Sequence, residues 1–354
     1  MNKKVLYSIG LMSGTSLDGL DIVYVRFDCN GQYRFNILYK ETILYTDFWR
    51  EKLRLAVNQS DKILEQMSME YGAFLGRRVK EFIDKYSIAD LDFIASHGHT
   101  VFHQPNKGIT LQIGDGQTIA NVTNCKVVCD FRTQDVELGG QGAPLVPIGD
   151  RLLFAEYDAC VNLGGFANIS FEEGDDRLAY DICPVNIVLN DVSRKLGFEY
   201  DEEGKIASTG EVNKGLLDVL NSLEFYKKSP PKSLGLEWVQ KTIFPLFDDD
   251  IKKVDLLRTF VEHIAIQITN SIQGFETVLF TGGGVFNTFL VERIKHYTTS
   301  KIQVPEATIV NYKEALIFSL LGLLRLENKD NCLSSVTGAK KNHSSGRIFN
   351  PNNS

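Results

Sequence analysis

Gly10-Leu11-Met12-Ser13-Gly14-Thr15-Ser16-Leu17-Asp18-Gly19-Leu20-Asp21 decides how the rest of this chain is read. Val5–Ile9 before it and Ile22–Val25 after it are short apolar runs of strand type, so the glycine and hydroxyl residues fall in a turn between two strands. Gly14 and Gly19 let backbone approach a ligand, while Ser13, Thr15 and Ser16 add hydroxyl donors. Successive N–H groups in such a turn form an anion-binding concavity, which predicts a phosphate site. Asp18 and Asp21 beside a phosphate require a cation between them, and Mg²⁺ binds one or two carboxylates together with water and phosphate oxygens. Taken alone, the stretch reads equally as a Gly-Ser hairpin with solvated aspartates.

A second stretch removes much of that ambiguity. Ala159 to Phe171 is again strand, glycine turn (Gly164-Gly165) and strand, about one domain length after the first. Such a recurrence signals internal duplication, and two similar halves imply a cleft between them. A third glycine site follows the buried run Thr277–Phe280, where Thr281 leads into Gly282, Gly283 and Gly284. Three glycines after a strand let a flat group lie on the backbone, which fits adenosine. The pattern is not the spaced triplet of dinucleotide-binding folds.

The 354 residues suffice for about two domains, and 43% hydrophobic with 23% charged residues is ordinary globular composition. A net charge of −7 argues against nucleic acid or an anionic membrane as the main partner. Six cysteines, mostly within apolar runs, fit reduced thiols and a cytoplasmic location. Lys3-Lys4 and the apolar residues after them imitate a signal peptide, but the run is short, holds Ser8 and Gly10, and lacks a small-residue cleavage site. It is read as the first strand. No run approaches the roughly 18 apolar residues of a membrane span.

Along the chain, Tyr33–Tyr45 is β-rich, Asp47 is placed to cap a helix, and the periodicity predicts a long helix over 61–86 with Met67, Tyr71, Phe74, Leu75, Phe82 and Ile83 on its core face. Phe93–Ser96 leads into His97, His99 and His103, a triplet that raises a metal hypothesis but lacks a cysteine or carboxylate partner and serves a sugar equally well. Leu111–Gly116, with Asp115, and Val127–Arg132, with Arg132, are further strand ends, where function collects in open sheets. Leu138–Pro144 is glycine-rich and reads as a passage between domains. Leu178–Asp181 ends a strand in a carboxylate that is either a site residue or the cap of the helical pattern that follows through Val188, Leu189 and Val192. Residues 200–238 read as loops and short helices, 255–272 and 314–327 as helices, and the Ser/Asn-rich end as a fraying tail.

In order, Met12–Gly19, Ser96-His97-Gly98, Leu111–Asp115, Asp130–Arg132, Gly139–Pro147, Asn162–Gly165, Pro230–Ser233, Gly282–Gly284 and Ser335–Gly338 resemble the motifs of the anhydro-N-acetylmuramic acid kinases, within the superfamily of actin, hexokinase and the large heat-shock chaperones. The resemblance implies an α/β, two-lobed, actin-like ATPase fold with duplicated ribonuclease-H-like mixed sheets and a central nucleotide cleft. It divides the chain into an N-terminal lobe, 1–145 joined by the 335–354 tail, and a C-terminal lobe, 146–334. It implies MgATP, a homodimer, and a coupled reaction: a carboxylate activates water, water opens the 1,6-anhydro ring, and the freed 6-oxygen takes the γ-phosphate. By motif position the catalytic residues are Asp181 and Arg132. The sugar contacts expected are His97, His99, Asp115 and Asn186.

The chain departs from the family pattern twice. Asp-Thr-Gly-Pro-Gly-Asn is replaced by Asp181-Ile182-Cys183-Pro184-Val185-Asn186, and His-Gly-Gln-Thr by His97-Gly98-His99-Thr100. These changes leave the base but put the sugar fit in question. A kinase for another anhydro sugar such as levoglucosan, and an actin- or chaperone-type ATP switch without sugar chemistry, are the competing expectations.

Overall fold

The strand expected at Val5–Ile9 runs on to Ser13 and lies inside a sheet, with Leu6, Ile9 and Leu11 buried. In this computed structural model, which describes residues 4–14 and 17–352, the chain divides into two compact units, Met1–Leu153 with Tyr312–Ser354, and Phe154–Asn311.

The sheet of the first unit has the order 347–349, 127–129, 93–96, 5–13, 19–28, 34–44. Strands 5–13, 19–28 and 34–44 form an antiparallel meander, and 93–96 and 127–129 run parallel to 5–13. The parallel strands are short and fully buried because both their faces are covered. Arg34–Leu44, at the edge, carries no buried residue. The second unit repeats the arrangement: 176–184, 166–173, 159–163, 277–281, 301–303, with the first three antiparallel and the last two parallel to 159–163. Order and sense coincide in the two sheets, so the duplicated mixed sheet is present. Leu111–Gly116, expected among the strand ends of a main sheet, belongs instead to a separate hairpin, His99–Gln104 with Ile109–Ile113.

The helix Asp61–Tyr86 has the expected bounds and buries Met67, Tyr71, Phe74, Leu75 and Phe82. The cap of Asp47–Leu55 is Thr46, whose side chain accepts from Trp49 N, rather than Asp47. Ala307–Leu326 begins earlier than the periodicity suggested, and its 20 residues are long and apolar enough to cross a membrane by length and composition, contrary to the sequence-based expectation. Of its most apolar window 72% is buried within the protein, as in a core helix.

That helix also moves the expected boundaries. The first unit extends to Leu153 because Pro147–Leu153 packs against it: a Cβ on Gly149 would stand 2.5 Å from Ile317 Cγ1, and Lys313 pairs with Asp150 at 2.7 Å. The chain returns to the first unit at Tyr312 rather than 335, and Ser319 Oγ meets Ser8 Oγ at 2.5 Å. The glycine-rich 138–144 is no passage between units. Gln141 N donates to Thr337 O and Gly142 N to Asp135 Oδ2, both within the first unit.

At Gly10 an added Cβ would lie 2.1 Å from Ala315 O, a backbone atom with nowhere to go. Gly10→Ala is expected to destabilise the protein by about 2–3 kcal/mol, the cost of overpacking a filled core. Gly215→Ala, exposed in the helix Lys214–Asn221, should leave stability unchanged or raised. Urea unfolding of the two variants checks the pair.

Candidate active site

Ser13 ends the first strand, and its hydroxyl is buried in a polar cluster. It accepts from Tyr45 at 2.7 Å and lies 3.1 Å from His99 Nδ1, while Tyr45 meets Tyr71 at 2.5 Å. The side chain is thus committed to the protein, and only backbone is left for a phosphate. Thr15 and Ser16 lie outside the described residues. Gly14 O accepts from Leu17 N, and Leu17 takes a positive φ of 61°. An added Cβ at Gly19 would stand 2.6 Å from Ile43 O, so that glycine serves close packing of neighbouring strands.

Asp18 is exposed and Asp21 half-buried, with Asp21 Oδ1 accepting from Thr42 Oγ1 at 2.6 Å. Desolvation raises the Asp21 carboxyl above its ordinary value, the Thr42 hydrogen bond opposes this, and the charge of Asp18 adds to the rise. A second carboxylate shares this field. Glu314, near the start of the 312–326 segment, is exposed by area, yet its carboxyl is held above the ordinary value foremost by desolvation. Arg132 pulls it down and Asp21 pushes it up. Asp18 thus raises Asp21, and Asp21 raises Glu314, a run of acidic groups that a hydrated divalent cation would relieve. Sequence reading missed Glu314, which entered only as the expected start of a helix. The available signal was a Lys313-Glu314 pair inside an otherwise apolar helix.

Arg132 is fixed in place. Its Nε and Nη2 lie 3.2 and 3.0 Å from His97 Nε2, and Nη1 donates to Gly142 O at 2.6 Å. His97 Nδ1 lies 3.0 Å from Gly98 O, which only accepts, so Nδ1 carries the hydrogen and Nε2 offers its lone pair to the guanidinium. Burial and then the Arg132 charge hold His97 well below the ordinary imidazole value. The three histidines serve different partners, since His103 Nδ1 faces Thr110 Oγ1 at 3.2 Å. They form no metal cluster. Asp115 caps the helix Gly116–Thr123, its Oδ1 accepting from Thr118 N at 2.7 Å and from Thr118 Oγ1 at 2.6 Å.

In the second unit the three glycine and asparagine motifs meet. A Cβ on Gly282 would stand 2.6 Å from Asn162 Oδ1 and 2.7 Å from Leu163 O, at a φ of 84°, and one on Gly284 would strike Leu163. Only glycine permits this contact between 282–284 and the 162–165 turn. Gly164 and Gly165 aim their carbonyls at the helix Asn186–Arg194: Val185 N reaches Gly165 O at 2.8 Å, and Asn186 N reaches Gly164 O at 3.3 Å. Gly283, Gly284 and Asn186 line a cavity of about 550 Å³ together with Tyr200, Glu202, Glu203 and Asn287. That size and wall suit a nucleoside. Asn186, expected among the sugar contacts, lines this cavity beside Gly283 and Gly284.

Asp181 is no helix cap. It lies within the strand Asp176–Pro184, at a register shift between Asp181 and Cys183, and the next helix is capped at Val185. The segment Pro230–Ser233 runs against it: Asp181 N donates to Lys232 O at 3.1 Å, and Leu234 N donates to Asp181 Oδ2 at 2.8 Å. Desolvation raises its carboxyl above the ordinary value, and the Leu234 hydrogen bond opposes the rise. A half-buried carboxylate oriented by one amide and raised in basicity is suited to taking a proton.

A family profile for anhydro-N-acetylmuramic acid kinase matches residues 6–351. The chain belongs to the anhydro-N-acetylmuramic acid kinase family. It is 34% identical to the anhydro-N-acetylmuramic acid kinase of Clostridioides difficile (strain 630), over 97% of this chain and 98% of that one. It is also 34% identical to that of Sulfurovum sp. (strain NBC37-1), over 96% and 98%. Among solved structures it aligns with a gluconate kinase from Lactobacillus acidophilus over 98% of this chain and 94% of that one, at 11% identity and a TM-score of 0.44. The family match therefore spans both units and every motif described above.

Burial lowers His99 to about 4. Its folded pKa lies below the unfolded value near 6.5, so the unfolded chain binds the proton first, and this contribution to stability falls as pH drops from 6.5 towards 4. The His99 ring resonances should stay those of a neutral imidazole down to about pH 4. An NMR titration checks this, and a midpoint near 6.5 would contradict the buried Ser13–His99 contact.

Proposed function

We propose that this chain opens the 1,6-anhydro ring of 1,6-anhydro-N-acetylmuramic acid with water and phosphorylates the released 6-oxygen from ATP, giving N-acetylmuramic acid 6-phosphate and ADP in cell-wall recycling. Kinase activity follows from the family. The observation that carries the chemistry further is Asp181: half-buried, raised in basicity by desolvation, and oriented through Leu234 N.

In this reading Asp181 takes one proton from water while the water oxygen bonds to the anomeric carbon. The bond from that carbon to the 6-oxygen breaks, and the 6-oxygen attacks the γ-phosphorus as the bond to ADP breaks. Asp181 then returns its proton to solvent. No separate acid is needed for the leaving oxygen, because the phosphoryl group captures its charge. Arg132, held by His97 and Gly142, supplies a fixed positive charge for the transferring phosphoryl group. The cavity bounded by Gly283 and Gly284 holds the nucleoside, where Glu202 and Glu203 offer acceptors to ribose hydroxyls. Of the turn glycines, Gly14 and Gly165 serve the phosphates, since Gly19 packs against Ile43 and Gly164 N donates to Phe166 O. Both ring nitrogens of His97 already face Arg132 and Gly98, so His97 acts by holding Arg132, whereas His99 engages Ser13 through Nδ1 alone.

Asp18 and Asp21 hold hydrated Mg²⁺, with Glu314 in the same field. The ion supplies neutralising charge for the phosphates. Six cysteines, none in a disulfide among the described residues, support a reducing, cytoplasmic setting. The homodimer rests on the family resemblance alone, and light scattering decides it.

The departures at 183 and 185 bear less on the sugar than their sequence suggests. Cys183 and Val185 are both fully buried in the apolar core of the second unit. Larger side chains there fill core volume, which favours the muramic substrate over levoglucosan.

Asp181→Asn should retain nucleotide binding and lose about 10²–10⁴ in turnover, the usual contribution of a general base. With ¹⁸O-water, mass spectrometry of the wild-type product should place the label at the anomeric oxygen and none on phosphate. Near-normal turnover by a folded Asp181→Asn, or label on phosphate, would remove the assignment. Equal rates on levoglucosan would shift the substrate.

A further inference from the structure

Away from these residues, the described part of the first unit holds one buried group of metal-ligating side chains, Asp135, Cys332 and His343. They are 0%, 2% and 4% exposed. Cys332 and His343 face each other across an antiparallel bridge, with Cys332 N to His343 O at 3.1 Å and His343 N to Cys332 O at 3.2 Å. Directly opposed residues in such a bridge project to the same side. Asp135 comes from the helix Thr133–Glu137, which begins immediately after Arg132.

The hydrogen bonds around the group leave one conflict. His343 Nδ1 lies 3.1 Å from Lys341 O, and a carbonyl only accepts, so Nδ1 carries the hydrogen. The lone pair of Nε2 then points into the group, where it finds no hydrogen-bond donor. Its nearest oxygen, Asp135 Oδ1, lies 3.5 Å away and is itself an acceptor. Asp135 is already oriented, with Thr337 Oγ1 donating to Oδ1 and Gly142 N to Oδ2, both at 2.7 Å. The Cys332 thiol lies 4.0 Å from Phe131 O and also interacts with the Ser345 hydroxyl. Two acceptors in a dry interior therefore share a single weak S–H donor, and a cation between them would satisfy both.

We propose that Asp135, Cys332 and His343 bind a zinc ion. The donor set of one thiolate, one imidazole and one carboxylate suits zinc and is too soft for magnesium or calcium. Zn²⁺ with a thiolate and a carboxylate is neutral overall, which burial demands. Binding releases the Cys332 proton to solvent and changes no oxidation state. All three ligand atoms lie within 4.8 Å of one another, against roughly 3.3–3.7 Å in a tetrahedral site with bonds of about 2.0–2.3 Å, a gap that side-chain rotation closes. His343 Nδ1 on a carbonyl and Asp135 on an amide and a hydroxyl are the outer contacts that metal ligands ordinarily have. The ion would pin the C-terminal segment to the helix that follows Arg132.

The rival cation is a proton, making His343 an imidazolium paired with Asp135. Full-length protein freed of metal by chelation and then titrated with Co²⁺ should develop a thiolate-to-cobalt charge-transfer band that saturates at one equivalent. Protein from zinc-supplemented cultures should retain one zinc per chain by elemental analysis, and its melting temperature should fall on chelation and recover with zinc. Cys332→Ser and His343→Gln should each lose the band and the retained zinc. Absence of a saturable band in the wild type, or equal zinc retention by both variants, would overturn the proposal. Should a variant fail to fold, the wild-type cobalt titration decides alone.

Discussion

At Gly10 the carbonyl of Ala315 occupies the space a side chain would need. That approach lets the 312–326 helix lie on the first strand, and much of the first unit follows from it. Gly322 sits against Ala95 and Phe93, and Gly149 against Ile317, so glycines on three elements let backbone and apolar side chains close without voids. Because the helix is held there, the chain is brought back to the first unit at Tyr312, and Glu314 enters the field of Asp21 and Arg132. A packing constraint thus sets the electrostatics.

Those electrostatics are arranged by opposite uses of burial. A histidine buried against a guanidinium stays neutral, and His97 thereby becomes an acceptor that fixes Arg132 without cancelling its charge. Carboxylates in the same surroundings go the other way: Asp21, Glu314 and, in the second unit, Asp181 all become more basic. For Asp21 and Glu314 the excess negative charge favours a cation. For Asp181, with a single amide donor and no neighbouring charge behind the shift, burial itself favours a proton.

The sequence made legible what depends on local pattern. The two strand–turn–strand repeats, the 61–86 helix and the glycine approach at 282–284 follow from periodicity and from residues that only one backbone geometry accepts. What it could not show depends on contacts distant in sequence. Leu138–Pro144 looks like a linker by composition, yet its amides are taken by Asp135 and Thr337, nearly 200 residues apart. Asp115 and Ser13 carry site-like chemistry in a site-like place, but neighbouring groups already use their side chains. Pro230–Ser233 reads as punctuation, and only the fold shows that its backbone holds Asp181. The anhydro-sugar chemistry itself came through the resemblance and not through any spacing.

The two sheets share order and direction, yet their first hairpins have different turns. In the second unit the turn is only Gly164-Gly165, and its carbonyls are spent on the first amides of the helix at 186. In the first unit the strands end at Ser13 and resume at Gly19, and Asp18 is exposed between them. A short turn favours close packing, as the contact of Gly282 and Gly284 with Asn162 and Leu163 shows. A long one favours acidic and hydroxyl groups beside a ligand. Duplication of a sheet therefore carried no duplication of the turn: the same strand order supports a tight glycine turn in one unit and an exposed acidic residue, Asp18, in the other.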